Sequence, residues 1–252
     1  MEEVDDLGAA GPKGGDLVRR HRLSTRLWHW INALTIFIML MSGMMIFNAH
    51  PRLYWGQFGA NPDKAWLALG SMDDVAFPGW STIPSYYSLA DARLWHLFFA
   101  WVLTIGALFY WIWSLANGHL RRDLWPAREQ WRPSHIFHDL IEHAKLKFPT
   151  GAAALHYNVL QKFAYLGVLL VLLPLVILTG LCMSPGFDAA THITALFGGR
   201  ASARSIHFLC AAGFALFIVV HLVMVVMAGP INEVRSMITG RYRLPKEKGG
   251  AA

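Results

Sequence analysis

The sequence predicts an all-α membrane protein, a bundle of four transmembrane helices. Two bulk properties and one pattern carry this. Only 15% of the 252 residues are charged and 55% are hydrophobic, whereas an average soluble domain is about 25% charged. Mean hydropathy is +0.36. The pattern is the absence of Asp, Glu, Lys and Arg from four windows, 27–51, 94–120, 163–187 and 205–232, each of 25 to 28 residues. A spanning helix needs roughly 20 apolar residues, and only helices and closed barrels satisfy the backbone in lipid. The apolar runs are continuous, not alternating, which selects helices at about 28–47, 94–116, 160–182 and 205–228.

The first window follows about 26 polar residues without an A-x-A-like cleavage site, so it reads as a retained helix. Residues 1–18, rich in acids and glycine, read as a disordered tail, residues 19–243 as one domain, and 244–252 as a second tail.

Basic residues orient the bundle. Arg19, Arg20, Arg22 and Arg26 precede the first helix. Arg121, Arg122, Arg128, Arg132, Lys145 and Lys147 lie between the second and third, and Arg235, Arg241, Arg243, Lys246 and Lys248 follow the fourth. The 48–92 and 183–203 connections are poorer in them. Both termini and the 117–147 connection are therefore expected in the cytoplasm of a bacterium, with the protein multi-pass in the inner membrane. The net charge of +6 is explained by topology, and nucleic acid is not an expected partner. Cys182 and Cys210 suit apolar packing, with a disulfide as the other reading.

Four of the twelve histidines lie in predicted spans: His29, His96, His207 and His221. Ionisable residues at membrane depth are costly and functional by default. His207 and His221 are 14 residues apart, close to four helical turns, so they share one face about 21 Å apart along the axis. His29 begins the first helix on the cytoplasmic side, at the depth of His221. His96 begins the second helix on the opposite side, at the depth of His207. Two imidazoles at each of two depths match the axial ligands of two six-coordinate haems b. A zinc site needs three or four clustered ligands, and a proton relay would use carboxylates that these windows lack.

Arg26-Leu-Trp-His29 recurs as Arg93-Leu-Trp-His96, and Arg204-Ser-Ile-His207 keeps the Arg-to-His spacing. Residues i and i+3 share a helix face, so each arginine is a candidate for a haem propionate or a snorkelling cation at a helix end. Gly43 (after Ser42), Gly106, Gly180 and Gly213 offer room for a porphyrin or for close helix packing.

These residues resemble the four-helix, di-haem b-type cytochrome subunits of formate dehydrogenases, nickel-iron hydrogenases and thiosulfate reductases. Arg26-Leu-Trp-His29-Trp30-Ile-Asn32 followed by Ser42-Gly43 looks like that family's first helix, and His207 with His221 like its fourth. The run from Ile46 to Gly56 is most similar to the thiosulfate-reductase branch. The resemblance implies pairing of His29 with His221 and of His96 with His207. It also implies quinone chemistry beside the cytoplasmic-side haem, with Tyr157 and Asn158 of the run His156–Lys162 at the quinone. Leu160 stands where the family has glycine. His156 and Lys162 are further candidates, for proton delivery. The implied function is a membrane-anchoring cytochrome that passes electrons between the quinone pool and a periplasmic molybdenum-cofactor or iron-sulfur oxidoreductase. The alternative is a stand-alone cytochrome b561-type superoxide oxidase or ferric reductase.

Residues 134–147, with His135, His138 and His143, have the spacing of an amphipathic helix on the membrane surface. The aromatic 48–92 connection reads as a lid over the haem on its side and a docking surface.

Overall fold

The computed structural model describes residues 13–60, 62–70, 75–144 and 159–245. Among the described residues, four helices are long and apolar enough to cross a membrane: α1 (Leu23–Asn48), α2 (Leu89–Ala116), α4 (Val159–Cys182) and α6 (Arg200–Ala228). Shorter helices join or follow them: α3 (Pro133–Ala144), α5 (Pro185–Thr191) and α7 (Pro230–Thr239).

Each long helix begins four or five residues before its charge-free window, where polar residues still satisfy a helical backbone, and ends inside it. α1 begins at Leu23, so Ser24, Thr25 and Arg26 form its first turn. At the start of α2, Ser88 caps the helix by accepting the Asp91 N–H at 3.2 Å, and its hydroxyl donates to the Asp91 carboxylate at 2.9 Å. α4 is α-helical over Val159–Gly167, widens to a π turn over Val168–Leu172, and is α-helical again over Leu173–Cys182. Pro174 explains the widening: its nitrogen has no proton to donate and its ring crowds the preceding turn. Trp111 of α2 donates its indole N–H to the Leu169 carbonyl at 3.1 Å.

The chain divides into two compact units, one of Met1–Trp30, Arg121–Tyr165 and Val219–Ala252, the other of Ile31–Leu120 and Leu166–Ile218. In the first, strand β1 (Leu17–Arg19) pairs antiparallel with β4 (Arg241–Arg243). Leu17 and Val18, expected in a tail, are thus strand residues, and Leu244 just beyond β4 is buried. Arg20 bridges to Glu233 at 3.2 Å and lies over the Tyr242 ring. Gly240, at φ +82°, ends α7; its carbonyl accepts the Arg20 N–H at 2.8 Å. A side chain there would meet both strain and the His21 carbonyl.

The second unit has an apolar core from three long helices: Leu103 and Ala107 of α2, Leu173 and Val176 of α4, Cys210 and Phe214 of α6. Cys182 and Cys210 are buried free thiols and form no disulfide. The opposite face of α2 presents Leu94, Phe98, Trp101, Ile105, Phe109 and Ile112, each more than 60% exposed. Their spacings of three and four put them on one stripe, an apolar surface that suits lipid.

The connection after α1 is tied to the start of α6. The Gly56 N–H donates to Ser202 Oγ at 2.7 Å, Trp66 Nε1 donates to Ser205 Oγ at 3.0 Å, and Ser205 Oγ donates to the Tyr54 carbonyl at 2.6 Å. Short ladder strands β2 (Arg52–Leu53) and β3 (Leu67–Ala68) and an Asn48 clip on the Phe77 backbone complete it.

Candidate functional site: two histidine pairs

In the first unit, α1 carries His29 and α6 carries His221. Their ring centres are 6.3 Å apart, with ring planes at 52°. In the second unit, His96 of α2 faces His207 of α6 at 6.2 Å and 60°. Two imidazoles with one metal ion between them, each nitrogen at about 2 Å from it, have ring centres about 6 to 6.5 Å apart. Both pairs fit that spacing. No group of three or more His, Cys, Asp or Glu side chains suited to a metal ion occurs among the described residues. A bare ion would lack its remaining ligands here, whereas a porphyrin brings four nitrogens and asks the protein for two. The residues fit haem b.

The surroundings of the two pairs differ. His96 Nδ1 lies 3.0 Å from Ser42 Oγ, and His207 Nδ1 lies 3.1 Å from Thr179 Oγ1. Both hydroxyl residues are fully buried. Ser42 Oγ donates to the Ile38 carbonyl at 2.7 Å, and Thr179 Oγ1 to the Leu175 carbonyl at 2.6 Å. A glycine follows each hydroxyl: a side chain at Gly43 would stand 3.4 Å from His96 Cε1, and one at Gly180 would stand 3.4 Å from His207 Cε1. These two glycines let the backbone approach an imidazole. Gly213 faces Leu172 instead, at 3.1 Å from a side chain placed there, which is close helix packing.

Around the other pair, His29 Nδ1 is buried without a hydrogen-bond partner. Trp30 meets the His29 ring edge-on at 5.1 Å and donates its indole N–H to the Met237 carbonyl at 3.1 Å, tying α1 to α7. His21 is held neutral, its pKa lowered to about 4 by burial and by the neighbouring Arg20, His29 and Arg26.

The three arginines of the repeated motif have separate fates. Arg26 is half-buried and its Nε is without a partner. Arg93 is exposed. Arg204 is tied to the connection after α1: its guanidinium donates to the Arg52 carbonyl at 3.0 Å and the His50 carbonyl at 2.5 Å, above the Phe47 ring. Three of its five N–H donors remain beyond those two bonds. A cavity of about 420 Å³ adjoins it, lined by Tyr54, Gln57, Arg200 and Arg204 among others.

Tyr157 and Asn158, expected at a quinone, lie outside the described residues, as does His156. Lys162 donates to Gln130 Oε1 at 3.2 Å. Of the α3 histidines, His138 is exposed, 3.8 Å from Asp139, and the side chains of His135 and His143 are outside the description. The hydroxyl of Thr179 is the feature that histidine spacing misses. Its signal is a shared dipeptide: Ser42-Gly43 in the first long helix and Thr179-Gly180 in the third.

Residues 20–240 match the family model described as prokaryotic cytochrome b561. A protein of Azospira oryzae named as YedZ1, a subunit of a protein-methionine-sulfoxide reductase, is 26% identical over 202 residues, 80% of this chain and 87% of that protein. A protein of Escherichia coli K12 named as cytochrome YdhU is 27% identical over 235 residues, 91% of this chain and 76% of that protein. Four spanning helices, imidazole pairs spaced for haem and a family match over nearly the whole chain agree. The chain belongs to the prokaryotic cytochrome b561 family, as a multi-pass inner-membrane electron-transfer protein with two haems b.

Proposed function

We propose that His29 with His221, and His96 with His207, would each hold one of the two haems, and that the chain passes electrons between the quinone pool and a periplasmic oxidoreductase. The observation that carries the ligand assignment is the pair of ring spacings, 6.3 and 6.2 Å. Bound there, haem supplies reversible one-electron chemistry. The chain's own residues orient the imidazoles, keep water from them and set the charge around them.

Arg26 is the motif arginine whose buried Nε lacks a partner, so a propionate carboxylate suits it. Arg93 lies one turn before His96, and Arg204 has donors left beside a cavity with a second guanidinium. We assign all three to propionates. Both termini and the 117–147 connection are assigned to the cytoplasm on their basic residues. The cytochrome domain is taken as about residues 19–243, extended at its N-terminal end to Leu17 by the β1–β4 pairing.

Tyr157 and Asn158 are the quinone candidates, on the family resemblance. The name of the Azospira relative, a reductase subunit, supports an oxidoreductase partner. A molybdenum-cofactor or iron-sulfur protein is the class the resemblance favours. Adding a short-chain quinol anaerobically to the purified protein tests the quinone step. Haem reduction about tenfold slower in Asn158→Ala than in the parent is expected; equal rates would remove Asn158 from the site. The second reading, a stand-alone superoxide oxidase or ferric reductase, is favoured by the family's cytochrome b561 description. Turnover of superoxide or a ferric chelate by the isolated chain would select it.

A further inference from the structure

The two hydroxyl–glycine cradles repeat one arrangement on different helices. Ser42-Gly43 of α1 holds His96 of α2, and Thr179-Gly180 of α4 holds His207 of α6. A hydroxyl has one proton and two lone pairs. The backbone carbonyls of Ile38 and Leu175, four residues back, take those protons at 2.7 and 2.6 Å. What each oxygen offers its imidazole is a lone pair, so Nδ1 carries the ring proton and donates it. The carbonyls of Met39 and Val176, which neighbour the same two rings, can also only accept. The Nε2 lone pair of each histidine is left for a metal.

A donated Nδ1–H fixes the ring orientation and makes the imidazole a more basic ligand. A more basic ligand favours the ferric over the ferrous iron, which lowers the midpoint potential. In the other pair, His29 Nδ1 is buried with no acceptor, so that ring lacks the same support. We propose that Ser42 and Thr179 are positioning residues that fix the tautomer of His96 and His207, and that they lower the midpoint potential of the haem at that pair alone. This rests on the assignment of the four histidines as haem ligands.

The test is a potentiometric titration of the purified two-haem protein, with haem content measured on every sample. Ser42→Ala and Thr179→Val should each keep two haems and raise the same one of the two midpoints. The oxidised-to-reduced ratio at fixed potential should fall about three- to tenfold, tenfold being 59 mV for a one-electron couple. Thr179→Ser keeps the hydroxyl and should titrate like the parent. No shift in either variant, or equal shifts of both haems, would overturn the proposal. So would a Thr179→Ser shift as large as that of Thr179→Val, because the cause would then be packing. If Ser42→Ala loses haem on purification, the Thr179 pair of variants decides alone. His96→Ala is the separate control: retention of both haems there would overturn the ligand assignment itself, whatever the hydroxyl variants do.

Discussion

Arg204 has a position that a repeated Arg-x-x-His spacing does not reveal. The spacing puts it one turn before His207, on the correct face for a propionate. Its guanidinium is also the strap that holds the His50 and Arg52 carbonyls. Sequence periodicity reports the face of a helix but not what a distant connection brings to that face. Arg204→Lys keeps the charge and loses the planar fork. A lysine reaches one carbonyl at a time, so the substitution is expected to cost about 2 kcal/mol of local stability. Hydrogen exchange of the 50–58 amides should quicken accordingly, and unchanged exchange would show that the strap contributes nothing. The four histidines were legible for the opposite reason: imidazoles in apolar helices are rare, and 14-residue spacing is a property of one helix. Ser42 and Thr179 were harder to see because small hydroxyl residues are common in membrane helices, and only the facing ring gives them meaning.

At the scale of elements, the long helices were legible because lipid excludes charge. Their boundaries were less so. α1 starts at Leu23 because Ser24, Thr25 and Arg26 are compatible with a helical turn outside an apolar layer. The strands of two and three residues carry no period long enough to read, and β1 with β4 joins segments more than 220 residues apart. The π turn in α4 follows from Pro174, but its partner Trp111 comes from another helix. Trp111→Phe should leave the Leu169 carbonyl without that donor and cost about 1 kcal/mol, measured as a lower thermal midpoint of haem-loaded protein; an unchanged midpoint would contradict this.

The segment after α4 has a pH dependence of definite sign. The Asp188 carboxylate accepts the Thr194 N–H at 3.0 Å and its hydroxyl, and these bonds hold its pKa below the ordinary value of 3.8. The folded state therefore binds fewer protons than the unfolded state as pH falls through the carboxylate range. The contribution is complete above pH 3.8 and is lost as pH drops through the lower folded value. Proteolysis between 185 and 198 should rise on acidification in the parent, and Asp188→Asn should flatten that profile. A parent profile already flat to pH 3 would rule out the carboxylate.

For the whole molecule, composition and charge placement predicted the membrane and the helix count. They are summed over many residues, so single exceptions do not disturb them. The connection after α1 was expected as a lid and docking surface. It is bound to the start of α6, and Trp55 and Trp66 stack at 5.5 Å with both rings exposed. The partner's identity was never legible, because exposed aromatic surface suits an interface with lipid as well as with protein.

Each of the two imidazole pairs would hold one haem. Reduced-minus-oxidised spectra with a pyridine haemochrome assay on detergent-purified protein test it most directly. The parent should carry two haems b per chain, His29→Ala and His96→Ala one each, and the double variant none. Two haems surviving in either single variant, or a haem-free parent expressed with ample haem, would contradict it.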